Sequence, residues 1–271
     1  MLLEGLGRMV GKKIKKEGHK WKIRFVKNAI MNVQMNVIMI ANAVVVMNKL
    51  KLKHYGCSFA VGHGTNCGRY LTEKLKLRYT RDAENGSSNE RTLRKLLTTS
   101  NESNFVLIGI TSSNRREGLT TNKNNTFWNT WKQVAPEEDS DYKLLSFDPW
   151  VHKNGKKEYR PAIDEEAQIR TAIQIICMQS FLKLKNIPYL FFNALYNGFD
   201  KPFTEECKNL LNLIDENYFY QLRSTFEECQ HGFCIENNMT ISDEDTHPNA
   251  RGQEAWGKLL LPKVKNILGI T

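Results

Sequence analysis

No Cys-x-x-Cys pair occurs in the 271 residues, although six cysteines do: Cys57, Cys67, Cys177, Cys207, Cys229 and Cys234. In a chain of this size, such scatter argues against a disulfide framework or a zinc ribbon and reads as reduced thiols. Cys229 and Cys234 flank His231, but no fourth ligand stands nearby, and no metal is expected. There is no internal repeat, no low-complexity tract and no unbroken apolar run of the roughly 20 residues a membrane span requires. The most apolar stretch, Ala29 to Met47, is interrupted by Asn32, Gln34, Asn36 and Asn42. Net charge is also missing from most of the chain. Twelve basic residues against Glu4 and Glu17 in residues 1–53 account for the whole formal charge of +10. A folded domain that tracks a phosphate backbone needs clustered positive charge on itself, so nucleic acid is not an expected partner of the domain.

Six of the eight methionines also fall in residues 1–47. Three readings of this stretch stand side by side: a membrane anchor, a signal peptide ending at Ala41-Asn42-Ala43, or an extension outside the fold. The organisation taken forward is a basic, Met-rich extension over 1–47 and one domain over 48–271. A soluble protein, cytoplasmic or virion-associated, is expected, with signal or anchor as the alternative.

Past Met47 the pattern becomes regular. Residues 50–57 alternate and run into Gly56, as a strand entering a turn does. Residues 68–77 show helical spacing, 76–80 a short second strand, and 90–97 a helix. Phe105–Ile110 is a continuous apolar run of strand length, the signature of a strand buried on both faces. Residues 162–186 make the longest helix, with Ala167, Ile169, Ala172, Ile173, Ile176 and Phe181 on its buried side. Pro188–Phe192 gives another buried strand, and Ala250–Leu268 a closing helix with Trp256, Leu260 and Val264 on one face. Strands alternating with helices predict a doubly wound parallel sheet in three α/β/α layers, with its site beyond the carboxyl ends of the strands. Residues 119–160 read as an irregular insertion, of the kind that shapes access to a site.

Two motifs carry chemistry. Ser58, in Gly56-Cys57-Ser58-Phe59, ends the first strand. A serine hydroxyl is a weak nucleophile that needs a base within reach, and a tight strand-to-helix turn aims free N–H groups at the same spot. The second motif is Asp245-Thr246-His247-Pro248-Asn249, just before the closing helix. An imidazole oriented by a carboxylate is the natural base near neutral pH. Read plainly, the first is a turn serine and the second a polar loop with Asn249 as helix cap.

Together, Gly-Cys-Ser-Phe near the start of the domain and Asp-Thr-His-Pro-Asn-Ala-Arg-Gly near its end resemble the first and last blocks of the SGNH (GDSL-type) serine hydrolases. The resemblance covers about residues 50–268 and is nearest to variants encoded by tailed phages and marine viruses. It implies a flavodoxin-like three-layer fold and a Ser58–His247–Asp245 triad. The implied oxyanion hole comprises the N–H groups of Ser58 and Gly86, with Asn114 following the Phe105–Ile110 strand. The family's Gly-x-Asn-Asp block is absent, and Cys57 replaces the aspartate of Gly-Asp-Ser. The acid stands two residues before the histidine rather than three, which leaves Glu244 as the alternative acid and Cys57 as an alternative nucleophile.

The implied function is an esterase that needs no cofactor and cleaves a small-molecule or glycan ester. The polar loops and Trp128, Trp131 and Trp150 favour a carbohydrate O-ester. The competing reading is a non-catalytic module that binds glycan or serves a viral structural role. Neither reading gives an oligomeric state.

Overall fold

The computed structural model describes residues 50–62, 64–99, 104–113, 115–119, 131–134, 142–147, 150–153, 156–159 and 165–270, with side chains outside 116–164 only. Residues 1–49, and with them the basic extension, lie outside the described residues.

Five strands form one parallel sheet: β1 (Lys51–Gly56), β2 (Arg78–Ala83), β3 (Phe105–Ile110), β9 (Tyr189–Asn193) and β10 (Phe219–Tyr220). Every neighbouring pair is parallel, in the spatial order β2-β1-β3-β9-β10. The chain leaves β1 for one edge, then returns past it to build the other half. The loops that leave β1 and β3 therefore diverge, and the gap between them is where ligands bind in such sheets.

Burial explains the central strands. All six residues of β3 and all five of β9 are buried, as their unbroken apolar runs require when helices cover both faces. Val106, Ile108, Ile110, Tyr189 and Phe191 pack on one side with α3 (Asn89–Thr99), α4 (Glu165–Leu184) and α5 (Glu205–Leu211). Phe105, Leu107, Leu190 and Phe192 pack on the other with α2 (Cys67–Leu75) and α7 (Ala250–Leu268). Each fully buried Leu or Phe of this kind contributes about 1.5–3 kcal/mol. Two short helices, α1 (Ser58–Val61) and α6 (Gln230–Glu236), complete the described helices of the layers.

The predicted face of α4 needs one correction. Ala167 and Ala172 are buried with Ile175, Met178 and Leu182, whereas Ile173 is exposed. This helix carries apolar residues all round, so tertiary contact rather than spacing selects the buried stripe. The region read as an irregular insertion is also more regular than expected. It holds an antiparallel sheet in the order β4-β6-β5, formed by β4 (Arg115–Leu119), β5 (Trp131–Val134) and β6 (Tyr142–Phe147), and a hairpin of β7 (Trp150–Lys153) and β8 (Lys156–Tyr159). Lys153 pairs with Lys156, and the two residues between them are Asn154-Gly155, a strong short-range hairpin signal.

Candidate active site

The first strand ends at Gly56, whose φ of +153° favours glycine and whose surroundings leave little room for a side chain. A Cβ there would stand 3.1 Å from the Ala60 Cβ and 3.3 Å from the Gly109 carbonyl. The turn buries Cys57 in the core and brings half-buried Ser58 to the start of α1. The Ala60 and Val61 N–H groups donate to the Cys57 carbonyl, whereas the N–H groups at the very start of such a helix have no helical acceptor.

The loop before α7 supplies the rest. His247 Nε2 lies 2.8 Å from Ser58 Oγ, and His247 Nδ1 lies 2.6 Å from Asp245 Oδ1. The same carboxylate oxygen accepts the His247 backbone N–H at 3.2 Å. With Ser58 donating to Nε2, the imidazole proton sits on Nδ1 and is donated to Asp245. Glu244 is exposed, and its backbone N–H donates to Ser242 Oγ. Cys57 is fully buried in the core with Phe59 and Leu107.

The loop is braced at both ends. Asp245 N–H donates to Ser242 Oγ at 3.0 Å, Ile241 N–H to the His247 carbonyl at 3.0 Å, and the Asn249 amide to the Thr240 carbonyl at 2.7 Å. Asn249 also caps α7 by accepting from Gly252 N–H. The plain cap reading of Asn249 and the His–Asp arrangement are therefore both present, one holding the other in place.

Several side chains that sequence motifs do not mark support this arrangement. Gln253, buried on α7, accepts from Cys67 N–H at 3.0 Å and donates to the Phe59 carbonyl at 2.8 Å. His231, buried in the first turn of α6, has its Nε2 3.0 Å from Thr246 Oγ1. Its ring meets Phe59 edge-on at 5.4 Å, and Phe59 lies 5.3 Å from the His247 ring. Burial first, then the charges of His247 and Arg115, push the His231 pKa down to about 3. It therefore stays neutral near pH 7 as a fixed wall of the site.

Gly86 lies in the turn after β2, at a left-handed φ of +72° that favours glycine. Because β2 pairs with β1 up to Gly56–Ala83, this turn stands at the same sheet edge as Ser58. Arg91 holds it through Glu84 at 2.8 Å and Asp82 at 3.3 Å. Asn114 lies outside the described residues. Its neighbours Thr111, Ser112 and Ser113 are buried, and the Ser113 carbonyl accepts from Arg170 at 2.7 Å. Asn89 clasps Thr111 in both directions, accepting its N–H at 3.0 Å and donating to its carbonyl at 3.1 Å. The side chains of Trp128, Trp131 and Trp150 lie outside the described residues.

Among the described residues, no group of three His, Cys, Asp or Glu is placed to hold a metal ion, and the six cysteines are unpaired. Burial pushes the thiols of Cys229 to about 11 and Cys234 to about 12, whereas a metal takes thiolate. Cys229 instead caps α6. Among the described residues, no helix is long and apolar enough to cross a membrane.

No family model matches the chain, and no curated protein does. Solved structures do. The psychrotrophic esterase EstA from Pseudoalteromonas sp. is 12% identical, covers 81% of this chain and 98% of its own, and has a TM-score of 0.44. The acetyl xylan esterase AlAXEase is 14% identical, covers 79% of this chain and 100% of its own, and has a TM-score of 0.44. A GDSL-like lipase from Bacteroides thetaiotaomicron is 12% identical, covers 81% and 89%, and has a TM-score of 0.37. The solved structures to which this chain is similar thus include esterases and a lipase.

Proposed function

We propose that the chain is a serine esterase acting through Ser58, His247 and Asp245. The observation that carries this reading is the continuous hydrogen-bonded line from Ser58 Oγ through His247 to Asp245, at 2.8 and 2.6 Å. In this mechanism Ser58 Oγ attacks the ester carbonyl carbon while His247 Nε2 takes its proton. Asp245 steadies the imidazolium. The Ser58 and Gly86 N–H groups, with the Asn114 amide, hold the oxyanion. Collapse breaks the bond to the alcohol oxygen, which leaves with the proton from His247. Water, deprotonated by the same imidazole, then releases the acid and restores Ser58.

The substrate we favour is an O-acyl group on a carbohydrate, and no cofactor takes part. The viral affinity rests on Gly56-Cys57-Ser58-Phe59 and on the acid two residues before His247-Pro248. Residues 1–47 are taken as an extension that contributes nothing to this chemistry.

Labelling with a fluorophosphonate tests the reading. Stoichiometric modification of the intact chain, lost in Ser58→Ala, is expected. An unlabelled wild-type protein overturns it in favour of a non-catalytic module, and labelling that persists in Ser58→Ala overturns Ser58 as the nucleophile.

A further inference from the structure

Arg115 opens β4, four residues beyond Thr111 at the end of β3. Its Nη1 donates to Thr111 Oγ1 at 2.8 Å, and its backbone N–H donates to the Ser112 carbonyl. Among the described residues its side chain makes no other hydrogen bond and pairs with no carboxylate, and it is half-buried. A guanidinium has five N–H donors in a planar fork suited to two anionic oxygens. Among the described residues, most of that fork is uncommitted. A half-buried charge without a counter-ion is costly, and the cost is offset when an anion arrives.

The fork sits at the proposed site. Tyr55 pairs with Ile108 across β1 and β3, so Ser58 and Thr111 each lie three residues past the same register point. Adjacent strands are about 4.8 Å apart, which sets the Arg115 anchor beside the strand that delivers Ser58. Continuing the alternation of Phe105 and Leu107 carries Thr111 to the α2–α7 side, where Phe59 packs between His231 and His247. The Arg115 charge also reaches His231, where it disfavours protonation.

We propose that Arg115 forms an anion-binding subsite beside Ser58 and His247, so that the ester cleaved carries a carboxylate or comparable oxyanion. This rests on the esterase reading, and it narrows the carbohydrate candidates to esters with an anionic group on the acyl or the sugar part. Arg115 is a specificity residue here and takes no part in proton transfer.

The test compares three activated or aryl esters: neutral 4-nitrophenyl acetate, 4-nitrophenyl hydrogen succinate with the anion on the acyl side, and 4-acetoxybenzoate with it on the alcohol side. Each anionic ester is compared with its methyl-capped neutral form. The wild-type protein is expected to favour at least one anionic ester over its capped form by about tenfold or more in kcat/KM, a ratio worth a single well-made charged contact. Arg115→Gln should abolish that preference while leaving 4-nitrophenyl acetate within about threefold, and Arg115→Lys should restore part of it. Absence of any anionic preference, or a preference untouched by Arg115→Gln, overturns the proposal.

A binding arm separates this failure from failure of the esterase reading. Calorimetry with 4-acetoxybenzoate and with 4-nitrophenyl hydrogen succinate on Ser58→Ala, with and without Arg115→Gln, reports the subsite even if no ester is turned over. Weaker binding in the double variant supports the subsite, and equal or undetectable binding in both overturns it.

Discussion

Gln253 and Phe59, 194 residues apart in the chain, are joined by a 2.8 Å hydrogen bond from the Gln253 amide to the Phe59 carbonyl. The helix that starts just after His247 thereby grips the residue that follows Ser58. The two halves of the proposed site are thus set against each other by a side chain that touches neither reacting atom. Gln253→Ala would leave the Phe59 carbonyl and the Cys67 N–H buried without these partners, at a cost of about 1–3 kcal/mol each. We expect a lower denaturation midpoint and a lower kcat with KM little changed. A variant as stable as wild type would show that water or a neighbour replaces the amide.

The two acidic neighbours should differ sharply. Asp245 accepts from both the ring and the backbone of His247, while Glu244 is exposed. Asp245→Asn is expected to reduce kcat on an activated ester by about 10²–10⁴, the scale of losing the orienting carboxylate of a triad. Glu244→Gln should alter it by less than about tenfold. The opposite ranking in steady-state kinetics would move the acid to Glu244.

Asn89 offers a third test. Its amide imitates a strand partner for Thr111, tying the end of the Gly86 turn to the loop after β3. Asn89→Ala removes both bonds from a buried pair and should destabilise the fold by about 1–3 kcal/mol. If the two loops hold the oxyanion, kcat should also fall more than KM changes. Unfolding curves and kinetics on the same variant distinguish a purely structural role from one in positioning.

Acid should unfold the protein through two buried imidazoles. Burial pushes His54 down to about 4 and His231 to about 3. In the unfolded chain each takes a proton near pH 6.5. Below that value the unfolded state binds more protons, so stability is lost as pH falls from about 6.5 toward 4. For His54 alone the full effect is on the order of 3 kcal/mol. The melting temperature should fall steadily between pH 6.5 and pH 4.5, and less steeply in His54→Gln. A flat profile across that window would mean that the imidazoles are hydrated in the folded state.

Much of this arrangement is legible in the residues themselves. Strands β3 and β9 announce themselves because burial on both faces demands unbroken apolar runs, and α7 because Trp256, Leu260 and Val264 repeat at helical spacing. The insertion was harder. Its strands are short and carry no clear periodicity, and the dipeptide Asn154-Gly155 is the local mark of its hairpin. Ile173 misleads for the opposite reason, since α4 is apolar on more than one face. Around the site, Ser58 and the Asp245–His247 pair stand out as motifs. Gln253, Asn89 and Arg115 do not, because each is a single polar residue outside any motif, and His231 draws notice only through the flanking Cys229 and Cys234. The register of β1 against β3 and the burial of these side chains bring them into view.

The 189 residues between Ser58 and His247 have a consequence for how the protein is made. A ribosome delivers β1 and the nucleophile turn early, and contacts of such long sequence separation form slowly. Until α7 has emerged and docked, Ser58 has no base, and the α2 side of the sheet lacks Trp256, Leu260 and Val264. A growing chain is therefore chemically silent and exposes an apolar sheet face, the state in which aggregation competes with folding. Ribosome-tethered chains that carry a C-terminal linker too short or long enough to bring α7 out of the exit tunnel should differ abruptly, the longer gaining both protease resistance and reactivity at Ser58. The gap between those lengths measures the interval during synthesis in which the chain depends on chaperones.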